Sequence, residues 1–313
     1  MKVAITGASG FVGLALCQHL KTHNIAFLPL TRKPPQLIAG EVSRTVDDRS
    51  GDEECQHALA GCDTLVHLAA LTHQPSRSPF DNLSEFRRIN VEYSKTLAKA
   101  SAKVGIRRIV LMSSIKVYGD PKSGPITSNT PTAPNDAYGQ TKLEAEQSLQ
   151  AFCREANIDL VILRPPLIFA PHAKGNLAAL VKAVRWRLPL PLASIHNKRD
   201  LLSLPNLCDL IRICLSHPEV TNKAWLACDG VAVSTADIVR TLAHAHQLKP
   251  RLISLPPSWL DWVARTTGRQ QQWHKLAGNL QLDSQYTQDS LEWRPKSAQA
   301  LYQNQESSIH ASP

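Results

Sequence analysis

The chain of 313 residues lacks the marks of a disulfide scaffold, a metal domain or a membrane span. Its seven cysteines, Cys17, Cys55, Cys62, Cys153, Cys208, Cys214 and Cys228, are odd in number and widely spaced, and no two form a C-x-x-C pair. A zinc site or a disulfide framework needs closer, paired spacing, so no metal site is expected. The thiols are read as small buried apolar groups in a reducing compartment. No run of about 18 uncharged apolar residues occurs, so no insertion into a bilayer is expected. The opening Met1-Lys2-Val3-Ala4-Ile5 runs directly into a glycine-rich turn without the layout of a signal peptide, and a cytoplasmic protein is the expectation. There is no internal repeat and no long low-complexity tract. With 43% apolar residues the chain is too rich in core-forming groups to be disordered as a whole.

What is present in excess is positive charge: 35 Lys and Arg against 26 Asp and Glu, a formal +9. Such a surplus fits nucleic acid, a membrane surface or a ligand rich in phosphate. No aromatic-interleaved basic patch or nucleic-acid module accompanies it, so no nucleic-acid partner is expected, and phosphorylated small molecules are the preferred reading.

Along the first 165 residues short apolar runs alternate with helical patterns. Val3-Ala4-Ile5, Ala26 to Leu30, Thr64 to Leu68, Ile109 to Met112 and Leu160 to Leu163 read as strands. Phe11 to His23, Ser84 to Ala102 and Tyr138 to Ala156 read as helices. Buried strands separated by helices of ten or more residues imply parallel βαβ units and a doubly wound α/β sheet with helices on both faces. After Pro165-Pro166 the alternation loosens. Residues 166–295 are expected to form mainly a smaller C-terminal substrate domain, with 203–216 packing back on the first domain and 296–313 forming a polar tail.

Thr6-Gly7-Ala8-Ser9-Gly10-Phe11-Val12-Gly13 follows the first strand and opens the first helix. Glycines at that spacing permit a tight turn, close approach of a pyrophosphate and close helix–sheet packing, with the helix N-terminus facing the phosphates. Gly7, Ser9, Gly10, Phe11, Val12 and Gly13 are therefore candidate cofactor-binding residues of a Rossmann domain. At the end of the second strand stand Thr31-Arg32-Lys33 instead of a carboxylate. Arg32 would accommodate a 2′-phosphate, which favours NADP(H), with NAD(H) as the alternative.

Ser113 and Ser114 end a further strand, and Tyr138-Gly139-Gln140-Thr141-Lys142 enters a helix. Tyr138 and Lys142, four residues apart, share a helix face, where the ammonium lowers the phenol's pKa and the phenol moves a proton. A serine hydroxyl nearby orients the substrate oxygen. Ser114, Tyr138 and Lys142 are the candidate catalytic residues of a hydride transfer between a carbinol carbon and a nicotinamide.

Taken together, Thr6-Gly7-x-x-Gly10-x-x-Gly13, His67-Leu68-Ala69-Ala70, Ser113-Ser114 and Tyr138-x-x-x-Lys142 resemble the extended short-chain dehydrogenase/reductases, over roughly residues 1 to 295. The resemblance implies that Leu68, Ala69 and Ala70 line the cofactor and that Asp48 lies near the adenine. It further implies that Asn90 is a structural or active-site asparagine, and that Arg164-Pro165-Pro166-Leu167 passes the nicotinamide, making Pro165 and Leu167 cofactor contacts. In the nucleotide-sugar branch the substrate-touching serine lies four residues before the Tyr of V-Y-G, which assigns that role to Ser114 before Val117-Tyr118-Gly119. Gly175-Asn176-Leu177 resembles a loop that holds a nucleoside diphosphate, and Asn197-Lys198-Arg199-Asp200 a turn whose Arg pairs with phosphate. Asn176, Leu177 and Arg199 are the resulting substrate-binding candidates.

Ile115-Lys116 stands where the family's dehydratases carry Asp-Glu, which argues against water elimination. The string is similar to bacterial surface-polysaccharide enzymes. The implied function is NADP(H)-dependent reduction at C4 of a UDP-4-keto-6-deoxy-N-acetylhexosamine. The alternatives are a UDP-hexose 4-epimerase with tightly bound NAD and, from another class, a non-catalytic dinucleotide sensor. The resemblance also implies a homodimer through the helices of Ser84 to Ala102 and Tyr138 to Ala156.

Overall fold

A computed structural model describes residues 1–33, 35–72, 78, 80–120, 124–170, 176–268 and 270–297; the side chains of 176–178, 271, 272 and 275 lie outside the description. In chain order the elements are β1 (Lys2–Thr6), α1 (Phe11–Thr22), β2 (Ala26–Thr31), β3 (Leu37–Ile38), β4 (Glu41–Val42), β5 (Arg44–Thr45), α2 (Asp52–Leu59) and β6 (Thr64–His67). Then come α3 (Leu83–Arg87), α4 (Tyr93–Val104), β7 (Arg108–Met112), α5 (Ala137–Glu155), β8 (Asp159–Arg164), β9 (Leu167–Phe169), α6 (Asn176–Arg185) and β10 (Leu201–Ser203). The last are α7 (Leu204–Cys214), β11 (Lys223–Leu226), α8 (Thr235–Ala245), α9 (Pro257–Thr266), α10 (Gln270–Ala277) and α11 (Gln285–Ser290).

Among the described residues seven parallel strands form one sheet in the order β11-β8-β7-β6-β1-β2-β5. Each central strand is a short apolar run because its alternating side chains are buried on both faces. Val3, Ile5, Val66, Val110, Val161 and Leu163 point to one face, where they meet Leu16 and Leu20 of α1 and Leu207 and Ile211 of α7. Ala4, Leu65, Ile109, Leu111, Leu160 and Ile162 point to the other, against Leu59 of α2, Leu97 of α4 and Leu149 of α5. Two helical layers on one parallel sheet make the doubly wound fold that the alternation of runs implies.

The strand order reverses between β1 and β6, and Thr6 pairs in register with His67 at that point. A crevice therefore opens beyond the carboxyl ends of these two strands, where ligands bind in sheets of this kind. The chain comes back to this sheet after leaving β8: α7 packs on α1, and β11 pairs with β8 as an edge strand. Before and after these returns, α6 and then α8, α9 and α10 build a small lobe around Val184, Leu192, Ile195, Val239 and Ala243.

Two local features differ from the pattern of the sequence. The stretch Ser84 to Ala102 is not one regular helix, because a π-helical turn over Arg88–Glu92 separates α3 from α4. The extra residue of that turn accompanies an inward position for Asn90, which is buried and bonded on both its amide atoms. Lys223–Leu226 adds a strand that a four-residue run does not announce, and Trp225 is fixed there by donating to the Val220 carbonyl at 3.0 Å.

All seven cysteines are buried and free. Burial pushes the Cys17, Cys153, Cys208 and Cys214 thiols up to about 12 and Cys55 to about 11, so thiolate is scarce at neutral pH. A chromogenic disulfide reagent is expected to titrate almost none of the seven in the native protein and all seven in guanidinium. Rapid reaction of even two native thiols contradicts this packing.

Candidate active site

The site begins at the turn between β1 and α1. Gly7 has φ +69, and a Cβ there would sit 2.9 Å from the Ala69 nitrogen. A Cβ on Gly13 would lie 2.2 Å from the Gly7 oxygen, so only glycine lets the helix approach so closely. The Gly10 nitrogen donates to the Gly7 carbonyl at 2.8 Å, which closes the turn. Gly10 caps α1 without a side-chain hydrogen bond, and its first turn holds no acidic residue. The leading backbone N–H groups of a twelve-residue helix thus face the crevice with their partial positive charge, a fit to a diphosphate.

Beneath the turn runs a chain of hydrogen bonds. The Thr6 hydroxyl accepts from the Ala69 nitrogen at 3.3 Å and lies 2.7 Å from His67 Nδ1. His67 Nε2 lies 2.9 Å from the Ser94 hydroxyl, which donates to the Asn90 carbonyl at 2.7 Å. Since the Ser94 proton is committed to Asn90, His67 must carry its proton on Nε2 and accept from Thr6 on Nδ1. Burial, assisted by the Lys142 charge, pushes the His67 imidazole down to about 3, so it is neutral and serves as a strut instead of an acid. Asn90 accepts from the Leu71 nitrogen at 2.8 Å and donates to the Leu71 carbonyl at 3.1 Å and to Thr141 Oγ1 at 3.1 Å. Its amide ties the stretch after β6, with Leu68, Ala69 and Ala70, to the helix that carries Tyr138 and Lys142.

That helix, α5, starts at Asp136, whose side chain accepts from the Gly139 nitrogen at 2.8 Å and also pairs with Lys116. A Cβ on Gly139 would be 2.5 Å from the Lys116 carbonyl, so α5 rests closely on the 3-10 turn Ile115–Tyr118. Lys116 is thereby a strut of the helix start. Ser114 caps the 3-10 turn by accepting from the Lys116 nitrogen at 3.2 Å, and its hydroxyl lies near enough to the Tyr138 phenol to lower its pKa. Tyr138 and Lys142 thus lie one turn apart on α5, with Ser114 near the Tyr138 phenol. The phenol's acidity is another matter. Burial pushes Tyr138 up to about 12, with the Ser114 hydrogen bond opposing, so in the protein alone Lys142 does not set it. The spacing of Tyr and Lys cannot reveal that the pocket is so apolar.

Lys142 is buried and pushed down to about 8 by desolvation, while the Glu146 carboxylate one turn away holds it up. Glu146 is itself anchored: Arg164 donates Nε to Oε1 at 3.0 Å and a second nitrogen to Oε2 at 2.5 Å, and Ser113 donates to the same carboxylate. Arg164 also donates to the Tyr118 hydroxyl at 2.7 Å. Sequence reading names Arg164 as a neighbour of the nicotinamide and passes over Glu146, although its place at i+4 from Lys142 was a usable signal.

Of the other candidates, Arg32 follows β2 as an exposed side chain with no carboxylate partner among the described residues. Asp48 is held by Arg88. Pro165 accepts from the Ile115 nitrogen at 2.9 Å, and Leu167 opens β9 beside it. Ser9, Phe11 and Val12 lie in or just after the turn at the start of α1. Asn176 and Leu177 begin α6, and their side chains are outside the described residues. Arg199 donates to the Gly278 carbonyl at 2.9 Å, faces no carboxylate among the described residues, and is lowered by burial. Among the described residues no cluster of three His, Cys, Asp or Glu could hold a metal.

The His67 strut has a consequence in acid. Its folded pKa of about 3 lies below the unfolded value of 6.5, so the unfolded chain binds the extra proton as pH falls. Stability is expected to fall by a few kcal/mol between about pH 6.5 and 3 through this residue alone. Denaturant titrations of the parent and of His67→Gln across that window are expected to show a flatter acid limb in the variant. Parallel limbs rule the strut out as a source of acid lability.

The sequence profile of the NAD dependent epimerase/dehydratase family matches residues 3–227. A UDP-glucose 4-epimerase of Vibrio cholerae is 32% identical over 306 residues, covering 94% of this chain and 90% of that protein. An N-acetyl-alpha-D-glucosaminyl-diphospho-ditrans,octacis-undecaprenol 4-epimerase of Escherichia coli O157:H7 is 31% identical over 257 residues, covering 81% of this chain and 75% of that protein. Among solved structures, a UDP-N-acetylglucosamine 4-epimerase from Bacillus cereus superposes with a TM-score of 0.79 at 20% identity, covering 100% of both chains. A UDP-glucuronic acid 4-epimerase from Bacillus cereus in complex with NAD gives 0.75 at 18%, covering 96% of this chain and 93% of that one. With a glycine cradle at the switch point and a Ser-Tyr-Lys set beside it, the chain belongs to the NAD dependent epimerase/dehydratase family of extended short-chain dehydrogenase/reductases.

Proposed function

We propose that this enzyme carries out oxidoreduction at C4 of a UDP-sugar, as a 4-epimerase. The observation that carries the reading is the grouping of Ser114, which caps the turn packed under the start of α5 and lowers the Tyr138 phenol's pKa, with Tyr138 and Lys142 one helical turn apart on α5. The 4-epimerase activity named for the relatives of Vibrio cholerae and Escherichia coli supports the choice of reaction.

The Gly7–Gly13 turn and the N-terminus of α1 would hold the diphosphate of a nicotinamide dinucleotide, with Leu68 to Ala70 and Pro165 to Leu167 along its length. When bound, that cofactor accepts and returns a hydride. Tyr138 takes the proton from the C4 hydroxyl as hydride leaves and gives it back as hydride returns, and its Oη is the atom that carries the proton. Ser114 donates its hydroxyl hydrogen to the same C4 oxygen and so holds it in line, leaving the C4 proton directed at Tyr138. Lys142, with a pKa of about 8, is largely charged at neutral pH and stabilises the phenolate electrostatically. Glu146 keeps that charge in place within an otherwise desolvated pocket.

A second reading, NADPH-dependent reduction of a UDP-4-keto sugar, is favoured by Thr31-Arg32-Lys33, where no carboxylate stands to hold ribose hydroxyls. The two readings separate on cofactor consumption. With UDP-glucose or UDP-N-acetylglucosamine the epimerase interconverts the C4 epimers without net change in NAD(P)H, whereas stoichiometric NADPH oxidation by a 4-keto sugar establishes the reductase. In either case Tyr138→Phe is expected to lower turnover roughly 10²- to 10⁴-fold with dinucleotide binding retained. Unchanged turnover refutes the proton-transfer role.

For the cofactor, Arg32→Ala is expected to weaken NADP binding about tenfold to a hundredfold and to leave NAD binding nearly unchanged, as for the loss of a charge-assisted phosphate contact. Equal effects on both dinucleotides, measured by fluorescence titration, remove the basis for an NADP preference.

A further inference from the structure

The positive surplus is not spread over the chain. Residues 165–199 and 235–282, which build the small helical lobe, hold twelve Lys and Arg against two acidic residues, Asp237 and Asp261. All other residues together hold 23 against 24, so the whole of the surplus lies in the lobe. Both of its acids are already paired, with Arg240 at 2.7 Å and with Arg265 at 2.8 Å. Lys182, Arg185, Arg187, Lys249 and Arg251 are exposed, and none has a carboxylate partner among the described residues.

The same lobe carries apolar groups in solvent. Trp186 is 64% exposed, Trp259 54% and Trp262 59%, with Leu188 and Ile253 beside them in sequence or ladder. Their common location follows from the packing. The Leu190 nitrogen donates to the Arg251 carbonyl and the Ile253 nitrogen to the Leu190 carbonyl, so 188–190 runs alongside 251–253. Leu190, Leu252 and Leu260 turn inward to one small core, leaving α9 to carry Trp259 and Trp262 on its outer side. Of the residues of α9 only Ala264 is fully buried. Lys182 lies over the Trp186 ring at 4.3 Å, which joins charge and aromatic surface in one patch.

Three exposed tryptophans among cations with no carboxylate partner among the described residues are unsuited to bulk water. They suit the headgroup level of an anionic bilayer, where indole rings sit at the polar–apolar boundary and Lys and Arg meet lipid phosphates. Exposed Leu188 and Ile253 argue for lipid over nucleic acid, since aliphatic side chains gain nothing from stacking on bases. Like charge on like faces argues against a second copy of the chain. We propose that this lobe is a peripheral docking surface for anionic phospholipid membranes, with Trp186, Trp259 and Trp262 as interfacial anchors. Helix α6 is ten residues long, about 15 Å, and runs from Asn176 to the basic end at Arg185. The proposal is independent of which C4 chemistry the enzyme performs.

The test uses the full chain with vesicles of phosphatidylglycerol and phosphatidylethanolamine, against vesicles of phosphatidylcholine alone. Expected are co-sedimentation with the first and not the second, release on raising salt from about 0.1 to 0.5 M, and a blue shift of tryptophan emission. Quenching by brominated acyl chains tests the anchors on the unaltered protein, so the result does not hang on a variant folding. Arg185→Gln with Arg187→Gln is expected to weaken partitioning roughly 30-fold, about fivefold for each charge. Trp259→Ala with Trp262→Ala is expected to weaken it about tenfold or more while turnover of a soluble UDP-sugar is unchanged. No binding to the anionic vesicles, binding indifferent to the Trp changes, or tighter salt-sensitive binding to an oligonucleotide overturns the proposal. So does a concentration-dependent dimer that the Trp changes abolish.

Discussion

A continuous line of hydrogen bonds from Thr6 through His67, Ser94 and Asn90 to Thr141 is the constraint on which the geometry of this enzyme depends. It joins the ends of β1 and β6 to the π turn and the start of α4, and then to the second turn of α5. Each member is buried, so breaking any link leaves a polar group without water or partner, a cost larger than the bond's own contribution. The π turn at Arg88–Glu92 is part of this arrangement, because it is where the helix departs from regular spacing and Asn90 turns inward. The crevice between β1 and β6 and the helix that carries Tyr138 and Lys142 are therefore placed by one network, not by two independent loops.

A second buried network, Ser113–Glu146–Arg164–Tyr118, lies beneath the lysine. It holds a full carboxylate charge close to Lys142 in a desolvated pocket. Without that partner, desolvation alone would favour the neutral amine. The guanidinium that fixes Glu146 comes from the last residue of β8, so the sheet itself sets the position of the charge. The charge beside Lys142 and the register of the strands are in this respect the same property.

Much of this was legible in the residues. Alternating apolar runs reveal the parallel sheet, since strands buried on both faces have little other composition open to them. The glycines reveal the cradle, because Gly7 and Gly13 are excluded from bearing a side chain by contacts of 2.9 Å and 2.2 Å. Ser114, Tyr138 and Lys142 are readable through spacing. The pKa of Tyr138 is not, because it depends on how much solvent the folded pocket excludes. Nor is the seventh strand, whose four residues owe their conformation to the edge of β8 and not to their own pattern. Arg199 looks like a phosphate ligand in sequence, and in the fold it is tied to the Gly278 carbonyl by one nitrogen, with its remaining donors uncommitted among the described residues.

The bare start of α1 links ligand and fold. Gly10 offers no side chain to the leading N–H groups, so those donors are available to an anion. Whatever binds there completes a helix that forms one wall of the core through Leu16, Cys17 and Leu20. Thermal stability of this protein is then a thermodynamic reporter of dinucleotide concentration, rising by about 2.7 kcal/mol at a hundredfold excess over the dissociation constant.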